Sequence, residues 1–215
     1  MKALLDFVAR HRGGAALGMY SLCSAHPLVL RAALVHARRR GVPQVLIEAT
    51  CNQVNPDGGY TGMTARDFIA FVHGIAAEER FPLSALVLGG DHLGPHPWQG
   101  LPAPEAMARA EALVASYVEA GFRKIHLDCS MSCAGDPLPL GDELVAARSA
   151  RLCRVSEDAW RRSGGEPPVY VIGTEVPVPG GPQHALTRVD VTSVASARAT
   201  LAAHEEAFAA AGLAD

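Results

Sequence analysis

Apolar and polar positions alternate along this chain in two rhythms. Short runs rich in apolar residues, Ala16–Cys23, Val45–Thr50, Ala85–Asp91, Lys124–Asp128 and Val169–Thr174, recur between longer Ala- and Leu-rich stretches. The short runs read as strands and the longer stretches as helices. The helices carry their own punctuation. Pro27 opens one that Gly41 closes, because proline's missing donor costs nothing in a first turn and glycine accepts the left-handed exit. Thr64 followed by Asp67 forms a capping-box pattern ahead of Phe68, Ile69 and Val72. Pro104 starts another helix that Gly121 ends, and Ser193 caps the last, which runs to about Ala211 before Gly212.

Alternation of strand and helix predicts a parallel sheet with helical crossovers. The strand starts step by about 38 residues, and eight such steps need roughly 300 residues for a closed (β/α)8 barrel. Five units and part of a sixth fit in 215 residues. The expected fold class is therefore α/β, as one domain over residues 1–215. It is either an open sheet or the N-terminal portion of a TIM (β/α)8-type barrel.

Composition narrows the function classes. With 49% hydrophobic and 19% charged residues, the chain can build a large core and is neither disordered nor collagen-like. A formal charge of -3 supplies no basic field for nucleic acid. The longest apolar runs fall far short of the roughly 20 residues of a membrane span. Asp6 interrupts the start where an export signal would keep an apolar core, so the cytoplasm is the expected compartment. Five cysteines fit reduced thiols better than a disulfide framework, and Cys129 with Cys133 lacks the second close pair of a structural zinc site.

The polar residues gather where the strands end. The first strand leads into Ser24 and His26; the second carries Glu48 and leads to Asn52, Gln53 and Asn55. The third ends in Asp91 and His92, the fourth carries His126 and Asp128, and the fifth ends in Thr174 and Glu175. Parallel α/β folds build their sites at this edge. The opposite edge begins Ala16, Val45, Ala85, Lys124 and Val169.

His126 and Asp128, two apart, share a face and can ligate a metal or pass a proton; a buried, hydrogen-bonded histidine is the other reading. Asp91 and His92 follow Gly89-Gly90, which admits a close approach of backbone or substrate. Asp91 as proton-transfer group beside His92 as metal ligand is one arrangement, and a solvated strand end is the alternative. His96 and Trp98, in a proline-rich loop, can cover a sugar face or simply pack. His11, His36, His73 and His204 fall on helices, and Arg38-Arg39-Arg40 complements a helix dipole. Gly58-Gly59 and Gly180-Gly181 match no phosphate-binding fingerprint, so no nucleotide cofactor is expected.

Longer stretches carry a resemblance. They are Cys23-Ser24-Ala25-His26-Pro27, Ile47 to Asn55, Gly58 to Met63, Gly89-Gly90-Asp91-His92-Leu93-Gly94-Pro95, His126 to Cys133, and Gly173 to Gly181. In this order they resemble the Z-type, non-catalytic subunit of D-tagatose-1,6-bisphosphate aldolase, related to class II aldolases, over about the first half of the family's length. The resemblance implies a zinc-dependent type of barrel, here incomplete, and an accessory role beside a separate catalytic aldolase subunit in galactitol and N-acetylgalactosamine catabolism. Some relatives are metal-dependent epimerases of ketohexoses or sugar acids, which is the alternative function.

On this basis Asp91 and Glu175 are the expected catalytic residues and His92 the metal ligand, for zinc or another divalent ion. Ser24, Glu48, Asn52, His126 and Asp128 are the expected contacts to a sugar phosphate or ketohexose.

Overall fold

The computed structural model of the chain describes residues 2–173 and 191–213. Helix α1 (Lys2–Arg12) precedes β1 (Ser21–Cys23), α2 (Pro27–Arg40), β2 (Val45–Thr50), α3 (Ala65–Glu78) and β3 (Leu86–Leu93). Then follow α4 (Ala103–Ala120), β4 (Lys124–Asp128), α5 (Asp142–Ser163), β5 (Val169–Gly173) and α6 (Val194–Ala210). The strands form one sheet in the order β1-β2-β3-β4-β5, every neighbouring pair parallel. An incomplete TIM-type barrel has this arrangement: each strand beside the one before it, with helical crossovers between.

Local chemistry sets the helix ends. Thr64 and Asp67 exchange side-chain and backbone hydrogen bonds in a full capping box, Ser193 caps α6, and His26 accepts from the Leu28 N–H ahead of Pro27. Gly41, at φ 63°, closes α2 in the left-handed region, as does Gly121 after α4.

Two strands differ from the sequence expectation. β1 begins at Ser21 rather than Ala16, because its register opens at Ser21 opposite Leu46, and β2 starts only one residue earlier. β3 runs past Asp91 to Leu93 through a shift of register against β4 between Gly90 and Leu93. Such an extra residue bends one strand and re-aims its side chains.

Alternate residues of the strands have opposite fates. Val45, Ile47 and Ala49 of β2, with Ile125 and Leu127 of β4, are fully buried. They share one core with Leu30 and Leu34 of α2, Phe68 and Val72 of α3, Leu113 and Tyr117 of α4, and Leu152 of α5. Burying each large aliphatic side chain contributes roughly 1.5–3 kcal/mol, so this helix-covered face dominates stability. Tyr117 keeps its phenol satisfied there by donating to the Val54 carbonyl at 2.9 Å. The other parity set, Ser21, Cys23, Glu48, Asp91, Lys124, His126 and Asp128, meets on the opposite face of the sheet.

Candidate functional site

Glu48 lies at the base of the polar face, 4% exposed. Gly89, its neighbour across the sheet, leaves room for it, since a Cβ there would stand 2.6 Å from Glu48 Oε1. Ser21 donates its hydroxyl to the Glu48 carboxylate, and Lys124 Nζ pairs with the same group. The ammonium also lies 3.8 Å from Asp91 Oδ1. A buried lysine is tolerated here because two carboxylates compensate it.

Above this pair, β3 and β4 cross-link through reciprocal contacts. His126 Nδ1 lies 2.8 Å from Asp91 Oδ1, and His92 Nδ1 lies 2.8 Å from Asp128 Oδ2. The two imidazole rings have centroids 4.5 Å apart. Consecutive strand residues ordinarily face opposite ways, and the irregularity in β3 removes that obstacle. His92 sits in the left-handed region at φ 49°, and both it and Asp91 reach the polar face. Gly173 of β5 completes the enclosure, because a Cβ there would fall 1.9 Å from His126 Nε2.

The hydrogen bond from His126 draws the Asp91 carboxyl down to about 2, against burial, and the charges of His92 and Lys124 add to the effect. Asp91 is thereby held as a carboxylate, which suits an acceptor or metal ligand better than a base tuned near neutrality. Burial pushes Asp128 up, but hydrogen bonds from His92 and Ser130 outweigh it and hold this carboxyl below its ordinary range. Burial, with Asp91 and Glu48 nearby, pushes the Cys23 thiol up to about 12, so it stays protonated and is no nucleophile.

Asp91, His92 and His126 offer one donor atom each, all within 4.8 Å of one another. The buried His126 Nε2 has no hydrogen-bond partner among the described residues, while its Nδ1 is held by a carboxylate. A metal-ligating imidazole is oriented in this way, and two nitrogens with one carboxylate suit zinc or a similar divalent ion. The residues therefore fit the metal that the class II resemblance implies.

The family model described as D-tagatose-1,6-bisphosphate aldolase subunit GatZ/KbaZ-like matches residues 4–215. The chain belongs to this family. It is also similar to the crystal structure of a probable tagatose 6 phosphate kinase from Sinorhizobium meliloti 1021, at 52% identity and a TM-score of 0.80. That match covers 92% of this chain and 46% of the Sinorhizobium chain, so the chain spans less than half the length of that relative.

In this GatZ/KbaZ-like chain the structure brings Asp91, His92, His126 and Asp128 together, with Glu48 joined to them through Lys124. Asn52 borders a cavity beside His92 and Asp128. Ser24 stands apart, accepting a hydrogen bond from the His26 N–H at the start of α2. Glu175, the other expected catalytic residue, lies outside the described residues.

Lys124 is the residue that sequence reasoning passed over, having been placed at the opposite strand edge. Its spacing of two from His126 and four from Asp128 was the available signal, since all three share one strand face. Ser21 belongs to the polar end of the first strand and Gly173 opens a stretch that carries the resemblance, but nothing in the sequence alone ties either to Glu48 or His126.

Proposed function

We propose that this chain acts as an accessory subunit of a class II D-tagatose-1,6-bisphosphate aldolase, supporting the activity and stability of a separate catalytic subunit in the cytoplasm. The family match over residues 4–215 carries this reading. Asp91, held near a pKa of 2, supports a binding or structural role for the polar face more than a proton-transfer role. Galactitol and N-acetylgalactosamine breakdown is the metabolic setting that the family resemblance implies. Phosphoryl transfer is not carried over from the Sinorhizobium protein, because neither Gly58-Gly59 nor Gly180-Gly181 belongs to a phosphate-cradling motif.

The test is to mix the protein with the catalytic subunit and follow cleavage of tagatose 1,6-bisphosphate. Alone, this chain is expected to cleave little, whereas the mixture should show a higher rate or longer lifetime than the catalytic subunit by itself. No change in either, at concentrations where the two demonstrably bind, overturns the reading.

One observation favours a second reading, a metal-dependent epimerase of a ketohexose or sugar acid: the fit of Asp91, His92 and His126 to a divalent ion. When bound, such an ion stabilises the enolate formed as a proton leaves carbon next to a carbonyl. Asp91, His92 and His126 would hold it, which leaves Glu175 as the group to accept the proton. Purified protein that binds no divalent metal excludes this second reading.

A further inference from the structure

At the N-terminal edge of the sheet, the end opposite the one that carries Asp91, His92 and Asp128, a cavity of about 470 Å3 lies between α1 and the chain that leads into β1 and β2. Sites for small molecules span roughly 300–1,000 Å3, so it has room for a whole ligand. Its walls are fixed by two helix ends. The Ala15 N–H donates to the Arg10 carbonyl where α1 closes, and the Val42 N–H donates to the Ala37 carbonyl where α2 closes.

The lining offers two kinds of surface. Phe7, Met19, Tyr20 and Val42 supply apolar area, and none of the four is fully buried; Tyr20 is 40% exposed. Asp6 and Arg10 border the same cavity with opposite charges. Four residues apart, they stand about one turn from each other on α1, the spacing at which a carboxylate and a guanidinium ordinarily pair. Here both are exposed, and neither forms an ion pair or side-chain hydrogen bond among the described residues, so both charges remain available.

This combination selects a ligand class. A phosphate placed on Arg10 meets the Asp6 carboxylate within a helical turn and is repelled by it. A polyol covers little of the apolar wall. A molecule with an ammonium and a carboxylate on one carbon and an apolar side chain satisfies every part. Its carboxylate takes the planar donor fork of Arg10, its ammonium donates to Asp6, and its side chain removes Phe7, Met19, Tyr20 and Val42 from water.

We infer that this cavity binds a free α-amino acid with a large apolar side chain, held by Arg10 and Asp6. The site is separate from the cluster of Asp91, His92 and His126 and does not depend on the aldolase reading.

Calorimetric titration of the full chain with L-phenylalanine tests it, with hydrocinnamate and phenethylamine as probes that each lack one charged group. L-Phenylalanine is expected to bind saturably, and each analogue about fivefold more weakly or worse. Arg10→Met keeps an apolar stem and removes the donor fork; it should weaken L-phenylalanine about tenfold, and Asp6→Asn about fivefold. Arg12→Met, on the same helix but outside the cavity, should leave the affinity unchanged. Thermal melts of all three variants should match the wild type, because only exposed side chains are altered.

No saturable binding of L-phenylalanine overturns the site, and so does wild-type affinity in both Arg10→Met and Asp6→Asn. An equal loss in Arg12→Met reveals a general effect of charge on α1 and overturns it as well. Hydrocinnamate binding as tightly as L-phenylalanine removes the role of Asp6 and with it the amino-acid class.

Discussion

Five consecutive residues of β4 serve two faces. Ile125 and Leu127 enter a helix-covered core where neither is exposed, while Lys124, His126 and Asp128 meet carboxylates and imidazoles from β2 and β3. On the first face, stability comes from removing apolar area from water, which is non-directional and tolerates a like-sized substitute. On the second, each buried charge is acceptable only because a specific partner stands beside it. The same strand thus carries fold on one side and candidate chemistry on the other, and the two should fail differently when altered.

The sharpest break in that comparison is Lys124→Met, which leaves Glu48 buried without its cation. It should cost about 3–5 kcal/mol in urea denaturation, because an uncompensated buried charge remains. Adding Glu48→Gln should restore at least half of the loss, since the polar face is governed by balance between partners. A single variant costing less than about 1 kcal/mol, as an exposed ion pair would, contradicts the account of that face.

On the apolar face, Leu127→Ala should cost about 2–5 kcal/mol by the same measurement, through lost transfer energy and the cavity left behind. No single charge change should rescue it. If a second polar-face substitution restores Leu127→Ala, the two faces are not independent.

The smallest effect concerns pH. The Asp91 pKa, at about 2, lies below its ordinary value near 3.9, so the native state binds fewer protons than the unfolded chain in this interval. Its stabilising contribution is present above pH ~4 and declines as pH falls through ~2. In metal-free protein, the stability advantage over Asp91→Asn should therefore shrink between pH 5 and pH 2. A difference that does not vary with pH shows that the carboxylate is not held charged by its neighbours.

Much of this division was legible in residue spacing. Pairing of His126 with Asp128 on one face follows from the two-residue period of a strand, and the ordered polar strand ends marked the edge on which to look. The approach of Asp91 and His92 to the same face was not legible, because the irregularity that allows it is a property of two paired strands rather than of β3 alone. Lys124 was hidden for a related reason. As the first residue of its strand it reads as an edge position, and only the register with Gly89 and the reach of its long side chain bring its ammonium to Glu48 and Asp91. Ala16 to Tyr20 showed the converse: an extended-looking run without a neighbouring strand to pair with forms no sheet.

The left-handed backbone at His92 also filters which mutations this position can explore. Asn, Asp and Gly enter that conformation with little strain, whereas Val, Ile and Thr carry a second branch at Cβ that makes it costly. Random drift at residue 92 would therefore be channelled toward small polar side chains even without selection on binding. A laboratory library at this codon should be depleted of β-branched variants by folding alone, before any ligand is offered to the survivors.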